Sequence, residues 1–414
     1  MSVSRARLGP RRPIVVLLAG ALCLAAVPGT LAQSPAVSSP APGASAVATA
    51  RWTGAPLTTT PMSAADAAAI DTAVQGVMAQ NTGQWSGIWV GVWDPTKGYH
   101  VAGYGDAAMG GPAATAADNG RIGSITKTFT ATAILRLIAD GKLALDDTIA
   151  DVLPDLATEL PEIAGLTVEQ LLGMTSGLPE YESRIVQQVI KAPQTPIPAH
   201  DIIVSTVKEQ GIQAPGTAGY STTNYLILGE MLTALTGQSP EDVLNALAQE
   251  AGLTSTALPA LEDASIPAPA SAGYVNDFAA LQAKSNGSPI PKLGDVSSYN
   301  PAWGGAGGAM YSNVEDLGRW AATGFGNTFL PQALGEQRLA SHPIPEGKYG
   351  LGILDFGNGW YGHSGEILGW NALAAYNPTT GAAFTLIINE SGSLLVTVPV
   401  VLAAFPDLVG AFGG

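Results

Sequence analysis

Residues 121–143, RIGSITKTFTATAILRLIADGKL, carry the reading of this chain. From Ile125 to Leu135 the run is apolar or threonine-rich apart from Lys127, and Gly141 supplies a stop, so it predicts one buried helix. Ser124 follows Gly123 at the helix start, where unpaired N–H groups and the dipole favour developing negative charge. Lys127 lies three residues on and shares a face with Ser124. Packed among Ile125, Phe129, Ile134 and Leu135, its ammonium is expected to be desolvated and its pKa lowered. The plain reading is a capping serine and a snorkelling lysine. The chemical reading is a nucleophile and its activator. The chain contains its own control, because Ser205 and Lys208 repeat the spacing in mid-helix beside charged and polar residues.

Composition narrows the classes. Only 12% of the 414 residues are charged, and the formal net charge is −15. So acidic a chain, with no basic cluster beyond its first residues, is not expected to bind nucleic acid. Arg5, Arg7, Arg11 and Arg12 precede an apolar run from Ile14 to Val27, and Thr30-Leu31-Ala32 offers small residues for cleavage. Residues 1–32 therefore read as an export signal, with an uncleaved anchor as the alternative. Removing them takes the formal charge to −19 and removes Cys23, the single cysteine, so no disulfide or thiol chemistry is expected. The mature chain is expected to hold no stable membrane span and to work outside the cell or in its envelope, periplasmic or wall-associated.

Residues 33–60 have the Pro, Ala and Ser content of a linker, and 61–414 are expected to form the working domain. Ser63 is a candidate N-cap, and the text around Asp94–Gly98 reads as a hairpin. Helical periods dominate from about 145, forming an insertion to about 300. A helix over 312–324, capped by Ser312, precedes strand-like runs ending in AAFTLIINE, and the last apolar residues read as a further helix. The turn Asn377–Gly381 predicts an antiparallel pair. The expected fold is α+β: an antiparallel sheet built from both chain ends, with helices on both faces and a mainly helical inserted subdomain. Trp85, Trp89 and Trp93 are assigned to sheet packing, and His100, His200 and His342 lack metal-ligand spacing.

Two further pieces join the helix. Tyr220 follows a Gly-rich turn in APGTAGYSTTNY, and His363-Ser364-Gly365 stand on a strand in WYGHSGEILGW. Ser124-x-x-Lys127, Tyr220 and His363-Ser364-Gly365, in that order, resemble the serine β-lactamase and penicillin-binding superfamily, in its class C β-lactamase, D-alanyl-D-alanine carboxypeptidase and esterase branch. GLTVEQLLGMTSGLPEY and GGAMYSNVEDLGRW support the resemblance, which runs from about residue 63 to about 395. It implies Ser124 as acylated nucleophile, Lys127 as its partner, and Tyr220 as general base and then acid. It implies that His363 donates toward Tyr220 or substrate, and that the N–H groups of Ser124 and Glu366 form an oxyanion hole. Thr222, Ser364, Gly365 and Glu366 fall at its substrate-binding positions.

Two positions depart from that pattern. Thr222 stands where the family usually has asparagine, and Asn224, two residues on, is not expected to point the same way. Glu366 places an acid just beyond the strand motif, where it would repel a substrate carboxylate. The expectation is an exported serine hydrolase, without cofactor or metal. It would cleave a lactam, an ester or a peptidoglycan-type amide through an acyl-serine. The alternative is a non-catalytic penicillin-binding-like envelope protein.

Overall fold

A computed structural model of the chain describes residues 57–80, 86–275 and 294–391. The first hairpin is set by Asp94, whose Oδ1 accepts the N–H groups of Thr96 and Lys97 at 2.8 and 2.9 Å. This local bonding turns β1 (Gly87–Asp94) back into antiparallel β2 (Gly98–Gly105). After them come the short strands β3 (Gly120–Arg121), β4 (Tyr274–Val275), β5 (Gly294–Asp295) and β6 (Tyr311–Ser312). The C-terminal side supplies β7 (His342–Ile344), β8 (Gly347–Tyr349), β9 (Leu354–Gly357), β10 (Trp360–Ile367), β11 (Trp370–Asn377), β12 (Ala382–Ile388) and β13 (Glu390–Ser391).

The main sheet runs β2-β1-β12-β11-β10-β9-β8-β7. Its two chain ends meet where β1 pairs antiparallel with β12. β11 and β12 also pair antiparallel across the expected turn, with Asn377 opposite Ala382. The mixed α/β architecture and its large antiparallel sheet are as read from the sequence.

Period-two alternation explains the layers. Ile88, Val90 and Val92 of β1 join Phe384, Leu386 and Ile388 of β12 under Ile70 and Val74 of α1 (Ala64–Gln80). Trp89 and Trp93 face the other way into the larger core. Both are buried, as the packing assignment requires.

That larger core surrounds α2 (Thr126–Ala139), which has buried side chains on almost every face. A helix closed in on all sides must satisfy its own polar groups. Thr126, Thr128 and Thr132 donate their hydroxyls to carbonyls of Gly123, Ile125 and Thr128, and Thr130 donates to Ala306. Phe129 stacks on Trp320 at 3.8 Å between ring centroids, and the Trp320 indole donates to Thr128. The insertion is helical from Ile149 onward, and its helix Thr223–Thr236 packs against α2.

One boundary is corrected. The helix expected over 312–324 from a Ser312 cap begins at Val314, because Asn313 caps it by accepting Asp316 N–H at 2.9 Å. Ser312 belongs to β6, paired with Gly120. The helix widens into a π-turn over Ala321–Phe325. The export signal, residues 33–56 of the linker, Trp85 and the last apolar helix lie outside the described residues. Among the described residues, no helix is long and apolar enough to cross a membrane.

Candidate active site

Ser124 sits in a single 3-10 turn, Gly123–Ile125, that leads into α2. Gly123 has φ +50°, in the left-handed region that glycine occupies most readily. Close approach is the second reason for glycine. A Cβ on Gly123 would lie 2.5 Å from the backbone nitrogen of Glu366, and one on Gly365 would lie 1.9 Å from the Ile122 carbonyl oxygen and 3.0 Å from the Ser124 nitrogen. Two glycines therefore let β10 run directly against the turn. The backbone nitrogens of Ser124 and Glu366 are drawn into one narrow contact, a suitable place for an oxyanion. Gly365→Ala is expected to force strand and turn apart and to slow acylation of Ser124 by about 10²- to 10³-fold. Reaction rates with a serine-directed fluorophosphonate, beside the melting temperature, check this.

Lys127 is fully buried. Its Nζ lies 2.8 Å from Ser124 Oγ, 2.8 Å from the Gly307 carbonyl oxygen and 3.2 Å from Thr222 Oγ1. As an ammonium it donates to all three. As a neutral amine it has two N–H groups for Gly307 and Thr222, and one lone pair left for the Ser124 hydroxyl. Burial pushes its pKa down to about 8, against the upward pull of Glu182 and Glu180. The expected desolvated lysine is therefore present.

The control pair differs in each respect. Ser205 donates to the Asp201 carbonyl and accepts from Arg184, while exposed Lys208 pairs with Glu159.

Tyr220 lies just before the helix Thr223–Thr236, with its ring 4.9 Å from Lys127 Nζ. Its hydroxyl shares a hydrogen bond with Ser124, and burial holds its pKa well above the ordinary phenol value. Its backbone N–H donates to Glu346, whose own carboxyl is raised by burial. At neutral pH the phenol keeps its proton, while Lys127, lowered to about 8, has a neutral fraction.

His363 is adjacent but differently engaged than expected. Its Nδ1 lies 2.5 Å from the Ser364 carbonyl oxygen, which only accepts, so the partners assign the proton to Nδ1. Nε2 then accepts from the Tyr349 hydroxyl at 2.9 Å. Burial, with Lys127 nearby, lowers the imidazole pKa to about 3. With its one N–H spent on Ser364, neutral His363 has none left for Tyr220 or a substrate. Its ring instead lies against that of Tyr220, 6.1 Å between centroids.

Thr222 is also reassigned. It is buried, and its hydroxyl is spent between Lys127 and Glu182 Oε1, 3.2 Å away, so it forms the wall behind the lysine. Asn224 turns away as expected, bonding Ser176, Ser221 and Met174. Ser364 is partly exposed on β10. Glu366 has one buried oxygen, Oε1, without a hydrogen-bond partner. Burial, Glu182 and Glu390 raise its carboxyl pKa well above the usual range. That direction opposes ionisation, and so works against the charge repulsion expected of Glu366.

Sequence reasoning missed the acids that do reach the centre. Glu180 accepts the N–H groups of Thr222, Tyr181 and Glu182 at 2.6, 2.7 and 3.1 Å. Glu182 is raised to about 7 by burial and by Glu180, against the lowering effect of Lys127 and Thr222. The available signal was two acids close together in GLPEYES, within a chain only 12% charged.

The Beta-lactamase family model matches residues 35–397. Penicillin-binding protein 4 of Amycolatopsis lactamdurans is 33% identical over 134 residues, a match spanning 30% of this chain and 31% of that protein. A D-stereospecific amidohydrolase from Streptomyces sp. superposes with TM-score 0.68 at 26% identity, over 82% of this chain and 98% of that one. A D-amino acid amidase from Ochrobactrum anthropi SV3, complexed with L-phenylalanine amide, superposes with TM-score 0.70 at 24% identity, over 83% and 98%.

Proposed function

The chain belongs to the beta-lactamase family, and on that premise we propose that it is an exported serine hydrolase that cleaves an amide or ester through an acyl-Ser124 intermediate. The observation that carries this reading is the buried Lys127 amine, with Ser124 as one of three ligands and a pKa brought near neutrality. Export rests on the basic and apolar N-terminal text.

The neutral amine takes the Ser124 proton while Oγ bonds to the carbonyl carbon. The N–H groups of Ser124 and Glu366 receive the oxyanion. As the C–N or C–O bond breaks, the proton passes from Lys127 by way of the Tyr220 hydroxyl to the leaving group. A water then attacks the acyl-serine, gives its proton to the same pair, and frees the acid and Ser124.

Glu180 and Glu182 flank the centre, and Glu346 holds the backbone at Tyr220. A unit negative charge about 4 Å from another costs on the order of 1 to 4 kcal/mol, depending on solvent access. The preferred substrate is therefore neutral or carries an ammonium group near the scissile bond, in line with the amide-directed names of the similar structures. A free or N-acetylated amino acid amide is expected to give a kcat/KM at least about tenfold above a carboxylate-bearing cephalosporin. A parent protein that prefers the cephalosporin would overturn the charge argument. Failure of any acyl probe to modify it would favour a non-catalytic envelope protein.

A further inference from the structure

Thr222 breaks the family's usual asparagine, and the structure shows what stands in its place. Its Oγ1 lies 3.2 Å from Lys127 Nζ on one side and 3.2 Å from Glu182 Oε1 on the other. A hydroxyl carries one hydrogen. With Glu182 accepting that hydrogen, Thr222 can meet Lys127 only with a lone pair, so Lys127 must donate to it. The Gly307 carbonyl, also acceptor-only, takes a second N–H. Both N–H groups of the neutral amine are then committed, and its lone pair has one direction left, toward Ser124. Without Glu182 the hydroxyl is free to rotate and donate into the amine lone pair, which removes the base from the nucleophile.

We propose that Glu182, acting through the Thr222 hydroxyl, is a positioning residue that aims the Lys127 lone pair at Ser124. The inference rests on Ser124 being the acylated nucleophile. Glu182 has a second effect through charge, since it stabilises the Lys127 ammonium. The other groups facing the pair are Glu180 and Tyr181 from its own segment, Tyr220 and Tyr225 from around the helix Thr223–Thr236, and His363 and Glu366 from β10. The His363 pKa is lowered to about 3, so His363 does not titrate near neutrality.

The test is the second-order rate of labelling by a fluorophosphonate from pH 5 to pH 10, in the full-length protein and four variants, with melting temperatures alongside. Glu182→Leu, which leaves no acceptor for the Thr222 hydrogen, is expected to lower the plateau rate by about 10- to 100-fold. It should also move the acid limb toward lower pH by about one unit, because the lysine loses a stabilising carboxylate. Thr222→Val is expected to lower the plateau similarly and leave the limb in place, since the carboxylate remains. The double variant should be no slower than the slower single variant, because both break one chain. Glu182→Asp should recover part of the rate. Multiplicative losses in the double variant, or a Glu182→Leu profile that superposes on the parent, would overturn the proposal. An unlabelled parent would instead remove the serine hydrolase reading and the inference with it.

Discussion

Ser124→Ala is expected to abolish covalent labelling by a fluorophosphonate or a fluorescent penicillin, while Ser205→Ala labels at the parental rate. Both serines have a lysine three residues on, so the spacing alone predicts no difference. Their surroundings do. Ser124 is partly exposed in a turn, with a fully buried amine 2.8 Å away. Ser205 is held by a carbonyl and by Arg184, and its lysine is ion-paired with Glu159 at the surface. Ser124→Ala removes one hydroxyl from a turn whose conformation rests on Gly123, so the melting temperature should stay within a few degrees. Mass spectrometry of the labelled peptide distinguishes the sites. Label retained at the parental level in Ser124→Ala would sink the acyl-serine mechanism.

Lys127→Ala is expected to lower the labelling rate by about 10²- to 10⁴-fold, the scale of acid–base assistance. In the parent, that rate should rise with pH through a midpoint set by the Lys127–Glu182 pair, between about 7 and about 8, and flatten above it. The sign follows from which form is the base. Burial lowers Lys127 from 10.5 to about 8. At pH 7 roughly one molecule in ten then holds the neutral amine, against about one in 3,000 for an ordinary lysine. The gain in available base is about 300-fold. In Lys127→Ala the limb should vanish. A limb centred near 6.5 that survives the substitution would transfer the role to a histidine, contrary to the low pKa of His363.

How much of this was legible depends on how local each interaction is. Ser124 and Lys127 are one helical turn apart, so their meeting follows from helix geometry alone. The period-two runs of β1, β11 and β12 announced a sheet, and Asp94 and Asn377 marked its turns. Tyr220 and His363 were found by resemblance in motif order, and the structure brings both beside Lys127. What each side chain bonds was not legible. The sequence placed Ser312 as a cap, but β6 claims it and Asn313 takes the role.

The sequence by itself determined the helix start, the serine–lysine register, the alternation of the strands and the α+β class, because these follow from neighbours within a few residues. Only the tertiary structure decided which groups control the amine. Thr222 reaches Glu182 across 40 residues, and Lys127 reaches Gly307 across 180. Pairings at that distance are fixed by how the insertion folds back over α2. Electrostatics followed the same rule. Glu366 reads as a charge in the sequence, but burial beside Glu182 and Glu390 opposes its ionisation. A buried group's charge depends on what excludes water from it and on which charges stand nearby, and both are set by residues far away in the chain.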